Sequence, residues 1–414
     1  MKILYIHQHF TTPHGATGIR SYQMAMRLIT AGHAVTMVCG RGAQGKTGLG
    51  GAFDHGIRRG IVDGIDVIEI DLAYSNHDGF VRRTITFLRF MLRTLRVVLR
   101  EDYDLLFATT TPLTVGVPGI VGRWLRRKRF VFEVRDLWPE LPRAMGVIRN
   151  PVVLAALSAL EWASYRSAHR VIGLSPGIVA GIRARGVPAE RVALVPNGCD
   201  LDIFVSDGPA WTPPGVGERD LVALFSGTHG LANGLDSVLN AAVRLRARGR
   251  ADIKLVLVGD GMMKAALRDR AAREGLDNVV FLDPIPKTEL SALMRRADIG
   301  LQILANVPAF YFGTSPNKFF DYIAAGLPVL NNYPGWLAET ITAERCGYAV
   351  PPEDPDAFAD ALCHAADHWA ELRDMGHRGR ELARARFDRR ILADQWMEWV
   401  VGAAVSRMPP LTAV

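Results

Sequence analysis

Short runs of β-branched and other apolar residues recur along the chain and alternate with longer stretches of helical period. That alternation predicts parallel strands joined by crossover helices. In the first half the pattern places strands at Lys2–Ile6, Ala34–Cys39, Asp66–Ile70, Leu105–Ala108, Phe130–Val134, Val171–Leu174 and Val192–Val195. In the second half it places them at Leu221–Ser226, Ile253–Val258, Val279–Leu282, Ile299–Ile303 and Val329–Asn331, with a weaker signal at Tyr348–Val350. Between Leu201 and Asp220 periodicity is lost and glycine and proline accumulate (SDGPAWTPPGVGERD), which marks a linker. The chain therefore divides into a first α/β domain at 1–200, a linker at 201–220 and a second α/β domain at 221–386. A closing amphipathic segment at 387–405 is expected to pack back on the first domain. Both domains read as doubly wound and Rossmann-like, and such sheets bind ligands beyond the carboxyl ends of their strands. Two of them facing across a cleft put the chemistry at strand ends.

Composition narrows the class. With 414 residues, 49% hydrophobic and 22% charged, the chain has ample core for two domains and no apolar run near the length of a membrane-spanning helix. The opening MKILYIHQHF reaches a polar loop after five apolar residues and reads as a first strand rather than a secretory signal. Cys39, Cys199, Cys346 and Cys363 are scattered without paired spacing, which disfavours a disulfide framework or zinc site and fits a reducing cytoplasm. The formal charge of +7 favours an anionic partner without choosing among a phosphorylated ligand, nucleic acid and a lipid surface.

Three strand ends carry candidate chemistry. After the first strand, HQHFTTPHGATGIRSY sets Gly15 and Gly18 before a helix expected to start near Thr17, with Arg20 as a fixed positive charge for an anion. In the second domain, FSGTHGLANGLDSVL supplies Gly227, Thr228, His229, Gly230, Asn233 and Gly234, and VLVGDGMMK supplies Gly259, Asp260 and Gly261. Two glycine turns at neighbouring strand ends favour a phosphate or nucleotide pocket over plain tight turns. A third element, SPNKFFDYIAAGLPVL, begins with Ser315 as expected helix cap, Pro316 and Asn317 in the first turn, Lys318 for phosphate oxygens and Asp321 on the same face for ribose hydroxyls. The alternative for Lys318 and Asp321 is an ordinary surface pair. No His, Asp or Glu cluster has metal-ligand spacing, so neither a metal nor a resident cofactor is expected.

Taken in order, HQHFTTPHGATGIRSY, VRDLWPE, HRVIGLSPGI, VPNGCD, SGTHGLANGLDSVL, VLVGDG and SPNKFFDYIAAGLPVL resemble the retaining glycosyltransferases of family 4, over nearly the whole chain. The likeness is greatest to the O-antigen, capsule and exopolysaccharide branch, including fucosaminyltransferase-like enzymes. It implies the GT-B fold and transfer from a nucleotide-sugar donor, commonly UDP-linked, to a lipid-linked or saccharide acceptor. The family's Glu-x7-Glu motif is half kept: its second position is Asp321 and its first falls on Gly313. The diphosphate would then rest on helix N-termini and Lys318, without a metal, and the stretch VRDLWPE would put Arg135, Asp136 and Trp138 on the acceptor side. Asp136 stands roughly where other members carry an active-site histidine, as a catalytic candidate beside Lys318 and Asp321. His7 and His9 flank the first strand's end, where a structural role is the simpler reading.

Residues 80–102 carry a stripe of Arg82, Arg89, Arg93, Arg96 and Arg100 beside a broad apolar arc that includes Phe87, Leu88, Phe90, Met91, Leu95 and Val98, and 122–130 (GRWLRRKRF) adds a second basic stretch. Such a helix either lies on an anionic membrane, as a peripheral protein of the inner leaflet would, or packs on its own sheet behind a solvated arginine face. Among rival functions, a nucleic-acid binder lacks a reading motif, and a dehydrogenase lacks G-x-G-x-x-G with its acidic partner. A GT-B epimerase or phosphorylase remains the nearest competitor.

Overall fold

A computed structural model describes residues 1–42, 45–75, 77–204 and 208–402. Residues 205–207 of the linker and 403–405 of the closing segment thus lie outside the described residues. The chain forms two compact units. Of the described residues, Met1–Asn197, Phe312–Ser315 and 390–402 make the first, while Gly198–Tyr311 and Pro316–Arg389 make the second.

The first unit is built on β1 (Lys2–Ile6), β2 (Ala34–Gly42), β3 (Ile57–Val62), β4 (Ile65–Tyr74), β5 (Leu105–Thr109), β6 (Arg129–Val134), β7 (Arg170–Gly173) and β8 (Val192–Leu194). Their order is β3-β4-β2-β1-β5-β6-β7-β8. Every pairing is parallel except β3 with β4. β3 has no counterpart in the sequence-based prediction. Its IRRGIV alternates half-buried and exposed positions, and Asp63-Gly64, both at positive φ, closes it onto β4 as a tight hairpin. The central strands are long apolar runs because helices cover both their faces: all five residues of β5 are buried. Trp396 of the helix Arg389–Val401 stacks on Tyr5 at 5.9 Å and meets Phe107 edge-on at 4.8 Å, so the closing helix supplies core to this sheet.

The second unit carries β9 (Leu221–Ser226), β10 (Ile253–Val258), β11 (Val279–Leu282), β12 (Ile299–Gln302), β13 (Val329–Asn331) and β14 (Gly347–Ala349). They form one parallel sheet in the order β11-β10-β9-β12-β13-β14. β9, at its centre, is buried throughout, so its carboxyl end delivers the next residues to the middle of the sheet's upper edge. Gly198–Asp200 already belong here, since Cys199 bridges to Asp388 and Asp200 is held by buried cations.

Candidate active site

The turns after β9 and β10 are built against each other. The Gly227 N–H donates to the Val258 carbonyl at 2.9 Å and the His229 N–H to the Asp260 carbonyl at 2.9 Å, so the ladder continues past the strand ends. At Gly259, φ is +145° and an added Cβ would stand 1.8 Å from the Gly227 carbonyl oxygen, so only glycine fits. Asp260 Oδ1 accepts the Gly261 N–H at 2.8 Å. Lys264 fastens the turn from below, donating to the carbonyls of Gly259 (2.8 Å) and Leu282 (3.0 Å) and to Asp283 (2.6 Å). Asn233 Nδ2 donates to the Thr228 carbonyl at 2.7 Å, which turns its Oδ1 toward Lys318.

Lys318 lies in the first turn of the helix Asn317–Ala325. Its Nζ donates to Asn233 Oδ1 at 2.8 Å and sits 4.4 Å from the centre of the Phe225 ring. An added Cβ at Gly227 would be 3.3 Å from Lys318 Cε, so the ammonium stem lies directly over the glycine turn. No carboxylate pairs with this lysine among the described residues, and burial alone lowers its pKa to about 7. The cap differs from expectation. Pro316, not Ser315, occupies the N-cap and gives no side-chain bond, so the helix presents its positive end without an internal acceptor. Ser315 belongs to the first unit, where its Oγ accepts the Asn197 N–H at 3.1 Å.

Two expected donor contacts need correction. Asp321 and Lys318 have different partners. Its buried carboxylate pairs with Lys287 at 2.9 Å, and Lys287 also reaches Asp200 at 2.5 Å, which Arg389 holds from the other side. Burial raises the Asp321 carboxyl against the pull of Lys287. For Lys287, burial acts to lower the ammonium but Asp200 and Asp321 outweigh it and leave it raised. His229 is the second correction. Its ring is fully buried between Phe225 and Phe281, at 6.0 and 6.3 Å, and burial lowers it to about 4, so it stays neutral and its contribution is the backbone turn.

In the first unit the helix after β1 begins at Arg20, three residues later than expected, with Ile19 as an uncapped start. Gly15 and Gly18 lie in the preceding loop, where the Gly15 N–H donates to the Thr12 carbonyl at 3.0 Å. Arg20 is not an anion site: it is fully buried, paired with Glu133 at 2.8 Å, and donates to the carbonyls of Val195 (3.0 Å) and Pro196 (2.6 Å). Arg20 thereby ties the helix Arg20–Thr30 to β6 and to the segment just after β8. Arg135 lies just beyond β6. Its Nη1 meets His7 Nε2 at 3.0 Å, and His7 Nδ1 meets Ser21 Oγ at 2.8 Å. An arginine only donates, so His7 Nε2 accepts, and His7 Nδ1 carries the proton toward Ser21. Burial, with Arg135 beside it, accordingly holds His7 well below its ordinary range. Asp136 accepts from Thr111 Oγ1 at 3.2 Å, and burial raises its carboxyl despite Arg135 and Thr111. Trp138 is partly buried against the first unit's core.

Lys264 and Lys287 escaped the sequence reading although a signal existed. Each is the first residue of its helix, where the macrodipole disfavours a cation, so a specific carboxylate or carbonyl partner was to be sought. Among the described residues no group of three or more His, Cys, Asp or Glu stands ready for a metal ion.

Two doubly wound α/β units, the second with paired glycine turns and a lysine-bearing helix N-terminus, define a protein of the GT-B class. Residues 15–198 match the glycosyl transferase 4-like domain, and residues 220–368 match the family described as glycosyl transferases group 1. The chain belongs to these group 1, family 4-like glycosyltransferases. It is 27% identical over 228 residues to an uncharacterized glycosyltransferase of Methanocaldococcus jannaschii, covering 52% of this chain and 55% of that protein. It is 28% identical over 341 residues to a GDP-mannose-dependent alpha-(1-6)-phosphatidylinositol monomannoside mannosyltransferase of Mycobacterium tuberculosis, covering 72% and 83%. The chain spans about half the length of the first curated relatives it matches. An Anabaena protein crystallised with UDP and glucose shares the fold at a TM-score of 0.67 and 17% identity, over 98% of this chain and 100% of that one. WaaG, a glycosyltransferase involved in lipopolysaccharide biosynthesis, does so at 0.69 and 17%, over 97% and 100%.

Proposed function

We propose that this protein transfers a sugar, with retention, from a UDP-sugar to a lipid-linked or saccharide acceptor in cell-surface polysaccharide synthesis. The observation that carries the reading is Lys318, a partly buried ammonium held over the Gly227 turn at a helix N-terminus with no carboxylate partner among the described residues. A diphosphate supplies the missing charge, and its binding restores the proton that burial weakens. As the bond to the sugar breaks, negative charge grows on the leaving diphosphate, and Lys318 with the first turn of Asn317–Ala325 stabilises it. The acceptor hydroxyl attacks from the face the nucleotide leaves and gives its proton to the departing phosphate oxygen. Asp136, raised by burial and adjacent to Arg135, orients the acceptor or the donor sugar. Asp321 serves this site indirectly, by anchoring the helix that carries Lys318.

The mycobacterial relative is named for GDP-mannose and the Anabaena neighbour holds UDP, so the base is the first thing to test. Thermal unfolding with UDP, GDP, ADP, NAD or a short oligonucleotide should show stabilisation by UDP, lost in Lys318→Ala. A ligand at 100 times its dissociation constant adds about 2.7 kcal/mol of apparent stability, which such a scan resolves. Stabilisation by NAD or the oligonucleotide alone would overturn the proposal, and stabilisation by GDP alone would replace its donor.

A further inference from the structure

Arg20 and Ser21 are consecutive residues at the start of the helix Arg20–Thr30, and both are linked to β6 or its end. Arg20 is linked directly, through Glu133 on the strand itself. Ser21 is linked through two further side chains: its Oγ meets His7 Nδ1, and His7 Nε2 meets Nη1 of Arg135, the residue that follows β6. Every member of this row lies in the first unit. Ser21 and His7 are each 2% exposed, so packing fixes the imidazole, and the His7 backbone N–H donates to the Val38 carbonyl at 3.0 Å. The backbone of Arg135 is pinned as well, its N–H donating to Thr110 Oγ1 at 2.8 Å.

The two arginines are supplied with different partners. Arg20 has a carboxylate and two carbonyls, and its charge is neutralised inside the fold. The side chain of Arg135 has one partner among the described residues, an imidazole nitrogen. A neutral imidazole orients a guanidinium without neutralising it, and the rest of the planar donor fork stays available. The carboxylates that act on Arg135 are Glu133 and Asp136, and both are engaged elsewhere. Glu133 is held by Arg20 and by Thr109 Oγ1 at 2.9 Å. Asp136 bonds to Thr111, beyond β5, whereas Arg135 bonds to His7, beyond β1. No ion pair joins Arg135 to either of them among the described residues. A partly buried guanidinium with its charge uncommitted thus stands at the carboxyl edge of a doubly wound sheet, where such sheets meet their ligands, and its fork matches an oxyanion.

We propose that Ser21 and His7 are positioning residues. Ser21 fixes the tautomer of His7, and His7 holds Arg135 toward an oxyanion of the acceptor, a phosphate or a carboxylate. The tautomer matters because a proton on Nε2 would set two donors against each other and turn the guanidinium away. The inference rests on the acceptor reading of the first unit, and neither Lys318 nor the donor enters it.

Glucose 1-phosphate, glucuronate and glucose are the probes, titrated into the full chain carrying Lys318→Ala so that the lysine of the second unit contributes nothing. Binding is followed by nuclear magnetic resonance at the backbone amides of residues 135 and 136. At least one of the two anions should bind and glucose should not, and which anion binds tells phosphate from carboxylate. Arg135→Gln should weaken binding about tenfold or more. His7→Phe should weaken it too, and should add nothing on top of Arg135→Gln, because it acts through that residue. His7→Gln, whose amide oxygen accepts from Arg135, should restore most of the affinity, and Ser21→Ala should show a smaller loss at an unchanged melting temperature. Binding of neither anion, binding of glucose as tight as theirs, full affinity in Ser21→Ala, or additive losses in the double variant would overturn the proposal. So would equal affinities in His7→Gln and His7→Phe; where His7→Phe does not fold, His7→Gln binding as weakly as Arg135→Gln has the same force. Stabilisation by UDP is read separately in the wild type, so failure of the donor reading and failure of this one are told apart.

Discussion

Lys287 and Lys318 both lie near helix N-termini in the second unit, yet they are treated oppositely. Lys287 sits between Asp200 and Asp321, whose carboxylates raise it despite burial. Lys318 has an amide oxygen and an aromatic face, and burial lowers it to about 7. A buried cation that is fully paired holds structure, because removing a partner strands the remaining charges. A buried cation left without a counter-charge holds little structure and favours an anion brought from outside. Proximity in sequence to the same glycine-rich edge does not distinguish them; the surrounding carboxylates do.

The sharpest way to break this contrast is Lys287→Met, which leaves Asp200 and Asp321 facing each other. It should lower stability by about 3–5 kcal/mol in denaturant unfolding. A loss under 1 kcal/mol would mean the cluster is solvated and the contrast unfounded. Lys318→Ala should leave unliganded stability nearly unchanged but weaken UDP binding about a hundredfold in calorimetry, on the order of 2–3 kcal/mol for a charge-assisted contact. Asp321→Asn separates the two roles. We expect about 1–3 kcal/mol of lost stability with UDP affinity changed less than tenfold. The reverse pattern would return Asp321 to the ribose.

The smallest effect is that of pH. Because the Lys318 pKa in the unliganded protein is near 7 and a bound diphosphate raises it, binding takes up a proton above that pH. UDP affinity should therefore fall between pH 7.5 and 9, by up to about tenfold per unit, and the fall should vanish in Lys318→Ala. The same group affects unliganded stability with the opposite sense. Its folded pKa lies below the unfolded value of 10.5, so the unfolded chain holds more protons between the two, and this contribution to stability rises with pH across that window.

Much of the second unit was legible. The bounds of β9, β10, β11 and β13 match the apolar runs, because parallel strands covered by helices are continuous apolar stretches ended by turn residues. The glycines at 227, 259 and 261 were readable for a related reason, since a backbone that must pass another backbone leaves a local mark. The Asp63-Gly64 hairpin also left its mark, but β3 alternates weakly on the sheet's edge and was passed over. Arg20 was misplaced because glycines before it suggested an anion, whereas its partner Glu133 lies 113 residues away.

By itself, then, the sequence determined the two α/β halves, their strand centres and the glycine turns at the ends of β9 and β10. These depend on periodicity and backbone conformation within a few residues. Only the tertiary structure decided that Arg20 belongs to Glu133, that Asp321 belongs to Lys287, and that Lys318 meets an amide oxygen and no carboxylate among the described residues. A charge acquires its role from the dielectric and the counter-charges around it, and folding brings those from distant parts of the chain.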